Sequence, residues 1–320
     1  MERIIEAVPN FSEGRDQTKI ARIAEAIARV TEVFVLHVDP GHDANRTVIT
    51  LVGPPEQVVE ALFQAFKVAQ AEIDMFTQSG AHPRMGAVDV CPLIPLHGVT
   101  MRECVKFANQ LGERVGRELD IPIVHYELAA TAKHRRLLAN VRRGEFEGWA
   151  EKIHDPLWQP DYGPRAVGSA GVSVIGVRPF LGAYNINLNT EDVSVARQIA
   201  QKVRESGYVK TIAGRKQRVR GELNHVRAIG WHMPEFGCAQ VSTNLTRLDV
   251  TGLHAAYSAV DEQARHLGYA AAGSELIGLI PKRAMLDVAE SIAATGDEPA
   301  QLQAAADFLG LASVREFELD

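Results

Sequence analysis

Residues 33–52 read VFVLHVDPGHDANRTVITLV, and this stretch decides the class of fold. Two runs rich in β-branched and aromatic residues flank a polar segment that begins with Asp39-Pro40-Gly41, so the pattern predicts two strands joined by a turn. The link between the two runs is too short for a helical crossover, and the strands are therefore expected to pair antiparallel. The apolar residues that follow recur at helical spacing and predict a helix. They are Val58, Leu62, Ala65 and Ala69.

Strand and helix signals alternate in this way over the first 130 residues, and the pattern returns after a break. The break includes residues 155–164 (DPLWQPDYGP), whose three prolines and one glycine predict a long loop. We predict an α+β protein made of two α/β-sandwich subdomains, each a mainly antiparallel sheet with helices on one face. The N-terminal subdomain is expected at 1–180 and the C-terminal subdomain at 181–320, with the link near 178–182.

The composition is that of a globular protein, with 46% apolar and 23% charged residues among 320. A net charge of −6 argues against a general nucleic-acid-binding protein. No apolar run approaches the roughly 20 residues that span a bilayer. The first residues enter a strand-like pattern at once, so we expect no membrane segment and no signal peptide. Three widely spaced cysteines fit neither a disulfide framework nor a CxxC metal site, and a cytoplasmic location is expected.

Two polar segments at strand ends are candidates for chemistry. The first, residues 79–92, contains His82 in a predicted loop between a helix and a strand, where catalytic side chains are commonly displayed. It also contains Arg84, which can hold a carboxylate by a bidentate contact. The second contains Asp39, whose carboxylate could orient a catalytic histidine. From spacing alone, a surface turn with an incidental histidine and an ordinary Asp-Pro-Gly turn remain open alternatives.

Motifs of several other enzyme classes are absent from the sequence. There is no Walker loop, no GxGxxG after the first strand, no HExxH and no GxSxG. His37 and His42 lie five residues apart across a strand end, which is not a spacing that favours a metal pair. We therefore expect no metal site.

Five segments together carry a resemblance to a known family. They are 8–14 (VPNFSEG), 45–47 (NRT), 79–92 (SGAHPRMGAVDVCP), 182–188 (GAYNINL) and 273–281 (GSELIGLIP). In this order, and over nearly the whole chain, the sequence resembles glutamate formimidoyltransferase, the formiminotransferase domain of formiminotransferase-cyclodeaminase. The resemblance implies two α/β subdomains with the folate site in the cleft between them, and a homodimer.

The resemblance also implies an activity and a set of site residues. The family transfers the formimino group from N-formimino-L-glutamate to N5 of tetrahydrofolate and releases L-glutamate, a step of histidine degradation and one-carbon metabolism. Its catalytic histidine corresponds to His82, a general acid and base with an ordinary pKa near 6.5. We add Asp39 as the group that orients this histidine. The family's folate-binding stretch corresponds to Gly163, Pro164, Arg165, Ala166, Val167, Gly168, Ser169, Ala170, Gly171 and Val172.

Arginines are expected in such a site, because the donor carries two carboxylates and folate carries a glutamate tail. The candidates are Arg46, Arg84, Arg165 and Arg178. A basic run at 210–220 could receive an anionic polyglutamate tail, or it could be a solvated loop. A second basic run, at 133–143, is expected to cover a helix surface. Tetrahydrofolate is thus the expected co-substrate, without a metal or a nucleic-acid partner.

Two other functions remain open at this stage. The same site could serve 5-formyltetrahydrofolate-linked formyl transfer or cyclisation, although cyclisation would be expected to consume ATP and the sequence has no nucleotide-binding loop. A non-catalytic folate-binding protein also fits the folate stretch, although storage needs no proton shuttle such as His82.

Overall fold

The computed structural model describes residues 3–212 and 214–311. The chain divides into two compact units, Met1–Pro179 and Phe180–Asp320. The strands of the first unit are β1 (Ile4–Ala7), β2 (Asn10–Phe11), β3 (Phe34–Gly41), β4 (Arg46–Gly53), β5 (Val88–His97), β6 (Ile123–Glu127) and β7 (Ser173–Val177). Its helices are α1 (Gln17–Ala28), α2 (Pro55–Glu72), α3 (Met101–Glu118), α4 (Leu138–Arg142) and α5 (Glu145–Lys152).

The strands of the first unit form one mixed sheet in the order β1-β4-β2-β5-β7-β6, with β3 paired to β4. The predicted antiparallel pair is confirmed, since Val38 of β3 faces Ile49 of β4 in register. Two pairings, β5 with β7 and β6 with β7, are parallel. They are possible because long connections, one of them containing α3, carry the chain back across the sheet.

One face of this sheet is covered by α1, α2 and α3. Ile23 and Leu62 on the helices are buried in one cluster with Leu51 and Cys91 on the strands. A capping box begins α3: Thr100 accepts from the backbone N–H of Glu103, and the Glu103 side chain accepts from the backbone N–H of Thr100.

The opposite face carries a second, smaller cluster. Val141 of α4 and Trp149 of α5 are buried there with Val90 and Val174 of the sheet. The predicted α+β class is confirmed, with the addition that these two short helices cover part of the second face. No helix within residues 3–212 and 214–311 has the length and apolar character needed to cross a membrane.

The second unit is built on a four-stranded antiparallel sheet in the order β11-β12-β8-β13. Its strands are β8 (Gly182–Leu188), β9 (Tyr208–Ile212), β10 (Arg215–Val219), β11 (Val226–Met233), β12 (Cys238–Leu245) and β13 (Ala271–Ile277). Its helices are α6 (Val193–Val203), α7 (Leu253–His266), α8 (Lys282–Ser291) and α9 (Glu298–Leu309). Alternate strand residues such as Tyr184 and Val241 are buried with Ile199 and Val260 of the helices.

The intervening strand residues form a polar network on the other face of this sheet, because successive side chains point to opposite sides. Trp231 Nε1 donates to Gln240 Oε1 at 2.7 Å, and Gln240 Nε2 donates to Asn187 Oδ1 at 2.8 Å. Glu275 Oε1 accepts from Gln240 Nε2 at 3.0 Å and from Asn185 Nδ2 at 2.9 Å. The sheet of the second unit therefore has an apolar, helix-covered face and a polar face.

The basic run at 210–220 lies mostly in a two-stranded hairpin. β9 and β10 pair antiparallel, with Lys216 opposite Thr211 and Arg218 opposite Val209, and these four side chains are exposed. The run is solvated, as the alternative of a solvated loop expected, but it forms paired strands and not a loop, while a role in binding a polyglutamate tail stays a prediction.

Candidate active site

The loop that carries His82 is hydrogen-bonded to two other loops of the first unit. Asn45 joins them: its Oδ1 accepts from Gly14 N at 2.9 Å and its Nδ2 donates to Ser79 O at 2.8 Å. The backbone N–H of Ala81 also donates to Asp43 O at 3.0 Å. Three of the quoted sequence segments, 8–14, 45–47 and 79–92, therefore meet at one place.

The side chain that this arrangement brings to His82 is Arg46. Its Nη1 lies 2.5 Å from His82 Nε2. A guanidinium has only donors, so Nε2 must accept, and the neutral imidazole then carries its proton on Nδ1. The pair therefore selects one tautomer of the histidine.

The surroundings of His82 also favour its neutral form. Burial lowers the pKa of His82 well below its usual value, and the positive charges of Arg46 and Arg142 lower it further, against a smaller opposing effect of a backbone hydrogen bond at Pro83. At neutral pH the imidazole is uncharged and able to accept a proton.

Arg142, at the end of α4, is fixed next to the same loop by a buried carboxylate. Asp89 is 1% exposed, and its Oδ2 accepts from Arg142 Nη2 at 2.5 Å. The other oxygen of Asp89 accepts from Met85 N at 2.8 Å, three residues after His82. The Arg142–Asp89 pair is thus part of the framework of the site.

Sequence reasoning missed this pair and assigned the whole 133–143 run to a helix surface. That assignment is wrong for Arg135, which is 6% exposed, and for Arg142, whose side chain is 17% exposed. One signal could have pointed to a partner: Asp89 is a lone charge inside the apolar strand β5, and a buried charge requires a counter-charge.

Arg84 already has protein partners for its guanidinium. Nη1 and Nη2 contact Glu147 Oε2 and Oε1 at 2.8 and 2.7 Å, and Nε donates to Gln78 Oε1 at 2.9 Å. These hydrogen bonds lower the pKa of Glu147 to about 2. Arg84 therefore ties the His82 loop to α5, and its predicted contact with a donor carboxylate would have to compete with Glu147.

We expect Arg84→Lys to reduce kcat/KM by about tenfold, because lysine keeps the charge and loses the planar fork that holds two partners at once. Steady-state kinetics with both substrates would check this. A rise in KM for the donor would indicate carboxylate binding, and a fall in kcat would indicate positioning of the His82 loop. If neither constant changed, Arg84 would have no part in the site.

Asp39 lies on the same face of the sheet as Arg46. Asp39 pairs with Val48 on the neighbouring strand, and Arg46 is two residues from Val48, so both side chains project to the face opposite α1. The register therefore brings Asp39 to the neighbourhood of the Arg46–His82 pair. Its role in orienting His82 stays a prediction.

The predicted folate stretch, residues 163–172, is hydrogen-bonded to the segment that follows His82. Ala87 N donates to Ala170 O at 2.8 Å, and Val172 N donates to Met85 O at 3.0 Å. The structure thus places the end of this stretch beside the histidine loop.

Within that stretch the residues differ in what they can offer a ligand. Gly171 has a φ of 72°, and a Cβ there would lie 2.2 Å from Met85 O, so this position requires glycine. Ala170 and Val172 are buried, whereas residues 165–169 are exposed or half-buried. Direct ligand contact is therefore more accessible to 165–169, and the assignment of all ten residues to the folate site stays a prediction.

Arg178 follows β7 in the same unit. Its Nη1 donates to Pro179 O at 3.1 Å. The nearby Glu6 is 3% exposed, and burial raises its pKa to about 7 although the charge of Arg178 lowers it. The ligand-binding roles predicted for Arg178 and for the exposed Arg165 stay predictions.

Within residues 3–212 and 214–311, no group of three or more His, Cys, Asp or Glu side chains is arranged to hold a metal ion. The expected absence of a metal stays a prediction.

Comparison with known proteins identifies the family. The model of the formiminotransferase domain, N-terminal subdomain, matches residues 4–178, and that of the formiminotransferase domain matches residues 183–320. The chain belongs to the formiminotransferase family. The boundary between the two matches falls in the same region as the division between the two compact units.

Relatives in this family are of two lengths. The chain is 43% identical over 325 residues to formimidoyltransferase-cyclodeaminase of Dictyostelium discoideum. This alignment covers 99% of this chain and 59% of the Dictyostelium protein. The chain is 45% identical over 290 residues to the protein of the same name from Sus scrofa, covering 90% and 52%. Glutamate formimidoyltransferase of Streptococcus pyogenes serotype M1 is 40% identical over 291 residues, covering 91% and 93%. The chain therefore spans about half the length of the formimidoyltransferase-cyclodeaminases it matches, and nearly the whole length of the shorter relative.

Proposed function

We propose that this protein transfers the formimino group of N-formimino-L-glutamate to N5 of tetrahydrofolate and releases L-glutamate. The observation that carries the proposal is His82, a histidine held neutral by burial and by two arginines, in a family whose members include a named glutamate formimidoyltransferase that matches along most of its length. The arginines suit a dianionic donor, and the neutral imidazole suits the proton transfers that the reaction requires.

The proposed chemistry needs one group that takes and returns a proton. N5 attacks the amidine carbon and forms a tetrahedral intermediate, in which N5 is acidic and can lose its proton even to a weak base. His82 accepts that proton and donates it to the glutamate nitrogen as the carbon–nitrogen bond to glutamate breaks. The low pKa of His82 makes its protonated form a strong acid, which favours the second transfer.

Arg46 must move away from His82 Nε2 before this nitrogen can accept a proton. Its guanidinium lies against His82 Nε2, so the lone pair on that nitrogen is covered in the structure. A carboxylate of the donor is a better acceptor for a guanidinium than an imidazole nitrogen is, because the charged pair can be bidentate. Binding of the donor is therefore expected to draw Arg46 from Nε2 and to expose the base.

The remaining parts of the proposal rest on the family resemblance. Folate is expected to contact residues within 163–172, of which 165–169 are exposed or half-buried, and the protein is expected to form a homodimer. Three free cysteines, all buried, are compatible with the proposed cytoplasmic location.

The direct test is turnover by the purified chain with N-formimino-L-glutamate and tetrahydrofolate, followed by mass spectrometry of the folate product. N-formyl-L-glutamate in a parallel reaction tests the formyl-transfer alternative. Formation of 5-formiminotetrahydrofolate supports the proposal. Transfer from the formyl donor alone, or folate binding without transfer, would overturn it.

The pH dependence of kcat/KM for the donor tests the state of His82. The base must be neutral, and the neutral fraction falls as the pH falls through the pKa of the folded protein. Because that pKa lies well below 6.5, we expect kcat/KM to stay level from pH 8 down through about 6.5 and to decline only at lower pH. A protonation limb at or above pH 6.5 would contradict a base held neutral by burial and by the charges of Arg46 and Arg142.

A further inference from the structure

We propose that Arg142, held by the buried carboxylate of Asp89, forms with Arg46 a carboxylate-binding site beside His82, and that this site binds the α-carboxylate of the donor amino acid. The inference rests on the proposed function and adds to it a residue and a ligand group.

The position of Arg142 is fixed by contacts with the segment that follows His82. Asp89 links the Arg142 guanidinium to the backbone of Met85, and Phe146 N donates to Arg84 O at 2.9 Å. The end of α4 and the start of α5 are therefore hydrogen-bonded to the residues that directly follow His82. The positive charge of Arg142 is also one of the causes that lower the pKa of His82.

The hydrogen bonds of Arg142 leave most of its donors for a ligand. Within the described part of the chain, Asp89 is its one hydrogen-bonding partner, and Nε is buried without an acceptor. The contrast is Arg135, whose Nε also lacks an acceptor but whose terminal nitrogens contact Asp161 and two backbone oxygens. Arg142 is thus held in place by one carboxylate and retains donors that a second carboxylate could occupy.

Charged side chains of both signs lie near His82. Arg46 and Arg142 contribute two positive charges. Asp89, which is paired with Arg142, and Asp39, which the strand register brings to the same neighbourhood, contribute two negative charges. The site is therefore suited to a ligand carboxylate through the remaining donors of Arg142 and not through a net positive charge.

The chemistry of the two substrates decides which carboxylate fits. In N-formimino-L-glutamate, one carbon separates the α-carboxylate from the nitrogen that must receive the proton. The glutamate carboxylates of folate lie at the far end of the molecule from N5. A cation next to the proton shuttle is consequently within reach of the donor's α-carboxylate and distant from the folate tail.

The test is Arg142→Lys, which keeps a cation for Asp89 so that the buried carboxylate is not left unpaired. The matched control is Arg143→Lys, an adjacent arginine whose side chain is exposed. We expect Arg142→Lys to raise KM for the donor by about 10- to 100-fold, with KM for tetrahydrofolate changed less than twofold and Arg143→Lys unchanged in both. An unchanged donor KM in Arg142→Lys would overturn the inference, and so would an equal rise for both substrates.

A second measurement identifies the group that is bound and does not depend on how well the variant folds. Donors with the α- or the γ-carboxylate converted to an amide are compared in wild type and Arg142→Lys as a double-mutant cycle. The α-amide should lose most of its efficiency with wild type and little more with the variant, while the γ-amide should show the full effect of the substitution. Coupling to the γ-carboxylate, or to neither, would overturn the assignment.

Failure of this inference is distinguishable from failure of the proposed function. If wild type transfers the formimino group and Arg142→Lys behaves like Arg143→Lys, the α-carboxylate site alone is wrong. If wild type does not transfer the group, the proposed function fails, and the inference that rests on it fails with it.

Discussion

His82→Gln is expected to lower kcat by about 10² to 10⁴, because glutamine can accept a hydrogen bond from Arg46 but cannot take up a proton. His82→Ala should show a loss of the same order. The measurement is single-turnover and steady-state transfer at saturating folate. The affinity for tetrahydrofolate, measured by calorimetry, should change by no more than a few fold, since the loop is held by backbone contacts of its neighbours.

The matched control is His42→Gln. His42 lies on the adjoining loop, and its side chain is 73% exposed. The His42→Gln substitution should leave kcat unchanged. If His82→Gln retained turnover within tenfold of wild type, a proton shuttle at this position would have to be abandoned.

Arg135→Met is expected to destabilise the first unit by about 3–5 kcal/mol, because it leaves the buried carboxylate of Asp161 without its counter-charge. The ion pair has side-chain exposures of 7% for Arg135 and 10% for Asp161, and an Nη1–Oδ2 distance of 3.1 Å. Arg135 also donates to the backbone oxygens of Leu157 and Gln159, so the substitution removes the contacts that hold the proline-rich loop.

Urea unfolding monitored by circular dichroism would measure this loss, with separate transitions fitted if the two units unfold independently. Arg136→Met is the control, since the adjacent Arg136 is exposed and should change the free energy of unfolding by no more than about 0.5 kcal/mol. Equal effects of the two substitutions would show that the buried pair has no special role in stability.

Local structure followed from the sequence where it depends on neighbouring residues. The strand pair at 33–52 was predicted and is confirmed, because turn chemistry and side-chain alternation are short-range effects. The hairpin at 208–219 was missed. Its strands are rich in charged residues and exposed, so they lack the apolar alternation from which a strand is recognised.

Pairings between distant segments did not follow from the sequence. The parallel pairing of β7 with β5 and β6 joins segments separated by long connections. Periodicity reports which face of a strand is buried, and it does not report which strand lies alongside. Arg142 was missed for the same reason, because its partner Asp89 lies far away in the sequence. A basic residue in a charged run has the pattern of a surface residue until such a partner is known.

For the candidate site, too, some features followed from the sequence and others only from the tertiary structure. The sequence by itself determined the α+β class, many of the local elements and, through the resemblance of its motifs, the family, and it predicted His82 as the catalytic residue. Only the tertiary structure decided that Arg46 lies against His82 and that Asp89 fixes Arg142 beside it. The physical reason is that the protonation state of an imidazole is set by burial and by charges within a few ångströms, and these arise from chain segments that only folding brings together.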